Sequence, residues 1–270
     1  MAYYSPLRYP GGKGKMLTET SQIMEENDLN RCTYIEPFAG GANLALNLLF
    51  QGKANSIILN DADPAIYAVW YAALNHAFEF IQFINEVPLN LEEYRKQRKI
   101  YTGEYKTVKE LGFATFYLNR TNRSGILKAG PIGGLNQTGN YLMDCRFNRK
   151  DLSVRIKRIY DNRHLIKVYN EDARDFLKRS FPDDSFLFID PPYYNKGAKL
   201  YRNYFKHEDH LEIAALVQNL KYPWVVTYDN VEPVLEMYNF SKHKEYDINY
   251  SVETKRLGNE VMFYSSALTI

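Results

Sequence analysis

Cysteine is nearly absent from this chain: Cys32 and Cys145 are the two among 270 residues. They stand far apart and match no metal-ligand spacing, which speaks against a disulfide framework or a cysteine-based metal centre and suits a reducing compartment. No apolar run approaches the length of a membrane span, and Met1-Ala2-Tyr3-Tyr4-Ser5-Pro6 lacks the apolar core of a secretory signal. A cytoplasmic protein without membrane attachment is therefore expected. Internal repeats and low-complexity tracts are also missing. What remains, 45% apolar and 24% charged residues, is enough to bury a substantial core in one large or two smaller domains.

Acidic residues are scarce in one stretch only. From Tyr94 to Arg163 there are 16 Lys and Arg against 5 Asp and Glu, a net +11, although the whole chain carries only +2. Such asymmetry points to a polyanion partner for that stretch, a solvated basic helical face being the plainer reading. Within it, Phe113 to Gly125 reads as a helix breaking into a polar turn, and Lys128 to Asn140 is glycine-rich without a single carboxylate. A loop of that kind approaches phosphates without repulsion, and its Asn and Gln amides suit base edges; otherwise it is a surface hairpin. Tyr141 to Ile159 reads as a further helix.

Elsewhere strands and helices alternate. A helix from Met16 to Asp28 precedes the strand Thr33-Tyr34-Ile35-Glu36, a Gly-rich turn and the helix Leu44 to Leu49, the first half of a nucleotide-binding βα unit. Ser56 to Asp61 is a second strand, ending in an acid roughly 20 residues past the glycines, where a ribose diol is bonded. Asp61 equally suits the cap of a helix starting at Pro64, in a helical stretch that runs from Ala65 to Asn85. Later strands are expected at Leu165 to Tyr169, Phe186 to Ile189 and Pro223 to Asp229, with Asp172 at a helix mouth and a helix from His207 to Leu220. Lys244 to Val252 and Glu260 to Ser266 read as a closing antiparallel pair. The expected fold is α/β: a seven-stranded mixed sheet from residues 1–70 and 164–270, interrupted by a mainly helical, hairpin-bearing insert at 71–163.

One stretch organises the rest. Phe186-Leu187-Phe188-Ile189 is an apolar strand that stops at Asp190-Pro191-Pro192-Tyr193-Tyr194. The prolines fix φ and remove two N–H donors while keeping their carbonyls, so the strand ends in a stiff ledge of acceptors. A planar ring bearing an amino group finds there a carboxylate and a carbonyl for its two N–H donors, and the Tyr193 ring for its face. An ordinary turn or a short polyproline segment is the competing reading.

Four motifs stand in order: Tyr9-Pro10-Gly11-Gly12-Lys13, Glu36-Pro37-Phe38-Ala39-Gly40-Gly41, Asn60-Asp61 and Asp190-Pro191-Pro192-Tyr193. Together they resemble the Dam-like family of DNA adenine methyltransferases in its alpha order, where a cofactor half precedes a recognition insert and a catalytic half. The likeness covers nearly the whole chain, including Leu118-Asn119-Arg120 before Ser124-Gly125, and Asn259-Glu260. It implies a Rossmann-like, methyltransferase-type sheet and site-specific transfer of a methyl group from S-adenosylmethionine to the 6-amino group of a flipped-out adenine in double-stranded DNA. Carried over by residue, Tyr9 and Lys13 contact the cofactor, Phe38, Gly40 and Gly41 wrap its methionine and ribose, Asp61 holds the ribose hydroxyls and Asp172 lies near its adenine. Asp190, adjoining the cofactor, and the Pro191 carbonyl accept the amino hydrogens, Pro192 stiffens the ledge and Tyr193 stacks on the base. The family's third glycine is Ala42 here, a small departure.

The resemblance requires no metal and no covalent enzyme intermediate. Arg120, Arg123 and Lys128, with the amides of Asn119, Asn136 and Gln137, are expected to supply groove and backbone contacts. Methylation of cytosine N4 is a rival, although that group typically has Ser where this chain has Asp190. RNA adenine methylation and a catalytically silent DNA-binding module are further alternatives. A cognate restriction endonuclease is compatible with the resemblance but not required by it.

Overall fold

In the computed structural model, residues 3–8, 16–195, 205–250 and 256–270 are described. Tyr9 and Lys13 of the first motif lie outside the described residues. The sheet has seven strands: β1 (Cys32–Glu36), β2 (Ala54–Asn60), β3 (Ile166–Tyr169), β4 (Ser185–Ile189), β5 (Trp224–Asp229), β6 (Lys242–Tyr250) and β7 (Arg256–Tyr264). Their order is β3-β2-β1-β4-β5-β7-β6. β1 runs parallel to β2 and β4, and β4 parallel to β5, while β7 is antiparallel to both β5 and β6. This is the mixed sheet with a closing antiparallel pair that the sequence leads one to expect. Between β1 and β4 the strand order reverses, and the crevice at the carboxyl ends of such a switch point is where open α/β sheets bind ligands.

Among the described residues, Cα proximity divides the chain into two compact units, one within residues 16–63 and 169–270, the other within residues 3–8 and 64–168. In the first, every residue of β1 and β4 is buried, so neither strand shows the alternation of a half-exposed one. One core layer joins Ile35, Leu187, Ile189 and Val226 to Phe176 and to Ile213 and Val217 of the helix spanning His207–Gln218. β7 contributes Val261, Met262 and Phe263, all fully buried, and Phe263 stacks on Tyr238 with ring centroids 4.7 Å apart.

The first helices in chain order are α1 (Met16–Glu26) and α2 (Asn43–Phe50). Helices α3 (Pro64–Asn75), α4 (Ala77–Glu86), α5 (Leu91–Lys99), α6 (Val108–Thr121) and α7 (Arg149–Asp161) belong to the second unit. The single helical stretch expected from Ala65 to Asn85 is divided at His76, whose φ of −133° leaves the helical region. Gly112 of α6 lets that helix close on α3, because a Cβ there would sit 2.3 Å from the Ala68 carbonyl oxygen. Between α4 and α6, Phe80 packs on Phe113 and Phe116, and Phe83 on Phe113, with centroid separations between 4.8 and 5.0 Å. The helix expected from Tyr141 begins only at Arg149, where the Asn148 side chain caps it by accepting from Asp151 N. The surface hairpin expected after α6 is reduced to a single bridge between Asn122 and Pro131.

Candidate active site

Asp190 leaves the carboxyl end of β4 half-buried, and its Oδ1 accepts a 2.7 Å hydrogen bond from Thr227 Oγ1 on neighbouring β5. That bond fixes the rotation of the carboxylate. Tyr193 is 7% exposed, and its hydroxyl donates to Glu260 Oε1 at 2.8 Å. The other oxygen of Glu260 accepts from Tyr246 Oη, also at 2.8 Å. Asp229, at the end of β5, accepts from the backbone N–H groups of Tyr194 and Asn195 at 2.8 and 3.1 Å. The ledge after Pro192, whose prolines cannot donate, is thus tied down by carboxylates from β5 and β7.

At the carboxyl ends of β1 and β2 the Gly-rich turn is built around acids. Glu36 ends β1 buried, and its Oε1 accepts from Ala45 N in the first turn of α2. Burial pushes its carboxyl up to about 8. Gly40, at φ 47°, donates its N–H to Asp61 Oδ2 at 2.9 Å, and Asp63 N donates to Oδ1 at 2.9 Å. Burial raises Asp61 to about 6 against the lowering effect of these two bonds. Ala42 caps α2 with φ 43° and ψ 30°, the left-handed conformation in which the family's glycine would be unstrained. Phe38 is half-buried beside Phe205, edge to face at 5.8 Å.

Asn60 is the residue of this edge that the sequence reading left without a task. Fully buried, it donates from Nδ2 to the carbonyls of Pro37 and Glu171 and accepts from Glu171 N, each at 3.0 Å. One amide thereby joins the ends of β1 and β2 to the loop after β3. Asp172, on that loop, caps the four-residue α8 (Ala173–Phe176) and directs both oxygens at Arg174. Arg174 holds its carboxyl below the ordinary aspartate value. Thr227, Asp229 and Tyr246 likewise have no task in the sequence, since nothing local separates them from ordinary strand residues, and Glu260 enters there only within the Asn259-Glu260 likeness, without a role.

The residues expected to contact DNA divide in two. Asn119 is 1% exposed and exchanges bonds with both backbone groups of Arg8 at 2.7 Å while also donating to Gly125 O. Arg120 is 7% exposed and donates through Nε and Nη2 to Arg146 O. Gln137 bonds Ile132 O, Gly134 O and Met143 N. Asn119 and Arg120 are turned inward at the end of α6 onto the backbone of their own unit, and the half-buried Gln137 braces the loop that carries it. Arg123, Lys128 and Asn136 are exposed. Among the described residues no cluster of three or more His, Cys, Asp or Glu is placed to hold a metal ion. Nor is any helix there long and apolar enough to cross a membrane.

A seven-stranded sheet of this order, with a Gly-rich turn after β1 and Asp-Pro-Pro-Tyr after β4, defines a Rossmann-like methyltransferase. Residues 9–252 match the D12 class N6 adenine-specific DNA methyltransferase family, and the chain belongs to it. Over 263 residues it is 25% identical to the type II methyltransferase M.CviBI of Paramecium bursaria Chlorella virus NC1A, covering 94% of this chain and 95% of that one. It is 23% identical over 237 residues to the type II methyltransferase M.MjaIII of Methanocaldococcus jannaschii, covering 79% of each. Among solved structures, the rRNA methyltransferase aviRa of Streptomyces viridochromogenes aligns with a TM-score of 0.43 at 16% identity, over 96% of this chain and 86% of that one. The chain is an adenine-specific DNA methyltransferase that modifies N6.

Proposed function

We propose that the crevice between β1 and β4 holds S-adenosylmethionine and that the Asp190 ledge holds an adenine extruded from double-stranded DNA. The donor set fits the cofactor. Asp61 presents a half-buried carboxylate suited to a vicinal diol, and Gly40 and Gly41 leave room for close backbone approach. Phe38 is assigned to the methionine and ribose of this ligand, and Tyr9 and Lys13 to the same ligand from their motif. Asp172 stands on the loop that Asn60 ties to this edge, so an adenine amine reaching it would share a carboxylate already bound by Arg174. When bound, S-adenosylmethionine supplies an electrophilic methyl group.

The chain's own residues prepare the acceptor. The 6-amino lone pair of adenine is delocalised into its ring, and nucleophilicity requires pulling that nitrogen toward tetrahedral geometry. Asp190 and the Pro191 carbonyl, accepting one N–H each, favour that geometry more in the transition state than in the ground state. Tyr193 lies against the base, and Pro192 keeps the acceptors from turning away. The amino group is paired inside a duplex, so the base must leave the stack first. Arg123, Lys128 and Asn136, exposed on the basic segment, are the contacts assigned to phosphate and groove.

The observation that carries this reading is the Thr227 bond that orients Asp190 beside the proline ledge. The experiment is transfer of labelled methyl from S-adenosylmethionine to unmethylated genomic DNA by wild type and Asp190→Ala, with the modified nucleoside identified and its positions mapped. N6-methyladenine in one short motif, lost in the variant, is the expected result. Cofactor binding without any transfer to DNA would reject double-stranded DNA as substrate.

A further inference from the structure

Glu260 is a carboxylate with no exposure at all, on a strand whose next three residues, Val261, Met262 and Phe263, are apolar and equally buried. Burying a carboxylate there is unfavourable relative to an apolar side chain of the same size, so stability alone gives no reason to keep it. Among the described residues, one of its oxygens accepts from Tyr193 and the other from Tyr246, both at 2.8 Å. Register explains the meeting. Glu260 pairs with Asp229 on β5 and with Tyr246 on β6, and directly paired residues of antiparallel strands share a face. One row across three strands therefore carries Asp229, which holds the backbone of Tyr194 and Asn195, then Glu260, which holds the Tyr193 ring, then Tyr246, which holds Glu260.

We infer that Glu260 is a positioning residue for methyl transfer: by bonding the Tyr193 hydroxyl it fixes the ring plane against which the target adenine lies, with Tyr246 orienting the carboxylate. This rests on the assignment of Tyr193 to the adenine site. Tyr193 has two rotatable side-chain bonds, and packing alone confines the ring less tightly than packing with its far end anchored. An anchored ring presents one fixed face, and the amino group of a base stacked on it stays in reach of Asp190 and the Pro191 carbonyl.

The test is a set of variants assayed for kcat, KM for DNA, cofactor affinity by calorimetry and thermal midpoint. Tyr193→Phe keeps the ring and removes its anchor; Glu260→Leu removes the anchor from the other side; Glu260→Gln keeps the size and lets each phenol find a partner. Tyr193→Phe and Glu260→Leu are each expected to lower kcat by about ten- to a hundred-fold. Cofactor affinity should be unchanged, the double variant should be no worse than either single one, and Glu260→Gln should recover most of the loss. Full kcat in Tyr193→Phe together with a large loss in Tyr193→Ala would overturn the inference, since the ring would then be needed without its anchor. Full activity in Tyr193→Ala would instead overturn the assignment of Tyr193 to the adenine site. Should Glu260→Leu fail to fold, Tyr193→Phe decides the matter by itself.

Discussion

Thr227 Oγ1 lies 2.7 Å from Asp190 Oδ1, one side chain on β5 and the other just past the end of β4. The strands are parallel and in register at Ile189 and Val226, so the two residues are neighbours by construction. Removing the hydroxyl while keeping the shape, as in Thr227→Val, is expected to lower kcat about ten-fold without changing cofactor affinity, through a carboxylate free to rotate. Thr227→Ser should restore most of the rate. Steady-state kinetics on a duplex substrate would check it, and a Thr227→Val enzyme with full kcat would count against an oriented Asp190.

Asp61 should make cofactor affinity depend on pH. Burial raises its carboxyl to about 6, and only the ionised form accepts two hydroxyl donors. As pH falls through that value the group takes up a proton, and affinity should drop by about ten-fold per pH unit below it. Calorimetric titration with the cofactor product at several pH values gives the slope. In Asp61→Asn binding should be weaker and this slope lost; an unchanged slope would remove Asp61 from the site.

Glu36 should make folding stability depend on pH in the opposite sense to an ordinary ion-paired acid. Its value rises from 4.5 to about 8 on burial. Between those limits the folded state holds more protons than the unfolded one, so this group's effect is a stability that falls as pH rises through the window. Glu36→Gln still accepts from Ala45 N but cannot ionise. Relative to wild type it should gain stability toward alkaline pH, on the order of a few kcal/mol across the window. Urea unfolding of both proteins at acid and alkaline pH would show it, and parallel curves would refute it.

Gly112→Ala should destabilise the unit in which α3 and α6 pack. The added methyl meets backbone, the Ala68 carbonyl oxygen at 2.3 Å, with no flexible side chain to yield. A loss of about 1–3 kcal/mol is expected from such overpacking. A wild-type thermal midpoint would mean that the helices separate easily.

On the basic segment, Arg123→Ala and Lys128→Ala should each weaken DNA binding and reduce the salt slope by about 1, as loss of one phosphate contact does. Arg120→Ala should act differently. Its guanidinium is buried against the Arg146 carbonyl, so the variant should lose stability first. Anisotropy titrations over a range of salt, beside thermal melts, separate the two outcomes.

Much of the fold was legible because its signals are local. The apolar run Phe186–Ile189 of β4 stopped by Asp190 and two prolines, glycines after β1 and an acid after β2 each specify a backbone path within a few residues, and their order in the chain implies the sheet. The boundaries of α4 and α7 were not legible, because His76 and Asn148 act through the conformation of single residues inside otherwise helical patterns.

By itself the sequence determined the sheet, the acceptor ledge and the family. It did not determine which polar side chains face the site and which brace it. Asn119 and Arg120 have the composition of groove readers, yet the turn of the chain after α6 places them inside, on the backbone carbonyls of Arg8 and Arg146. Glu260 lies 67 residues from Tyr193 and reaches it only because β7 enters the sheet between β5 and β6. Such roles belong to strand order and register, which bring distant positions onto one face, and no local pattern records them.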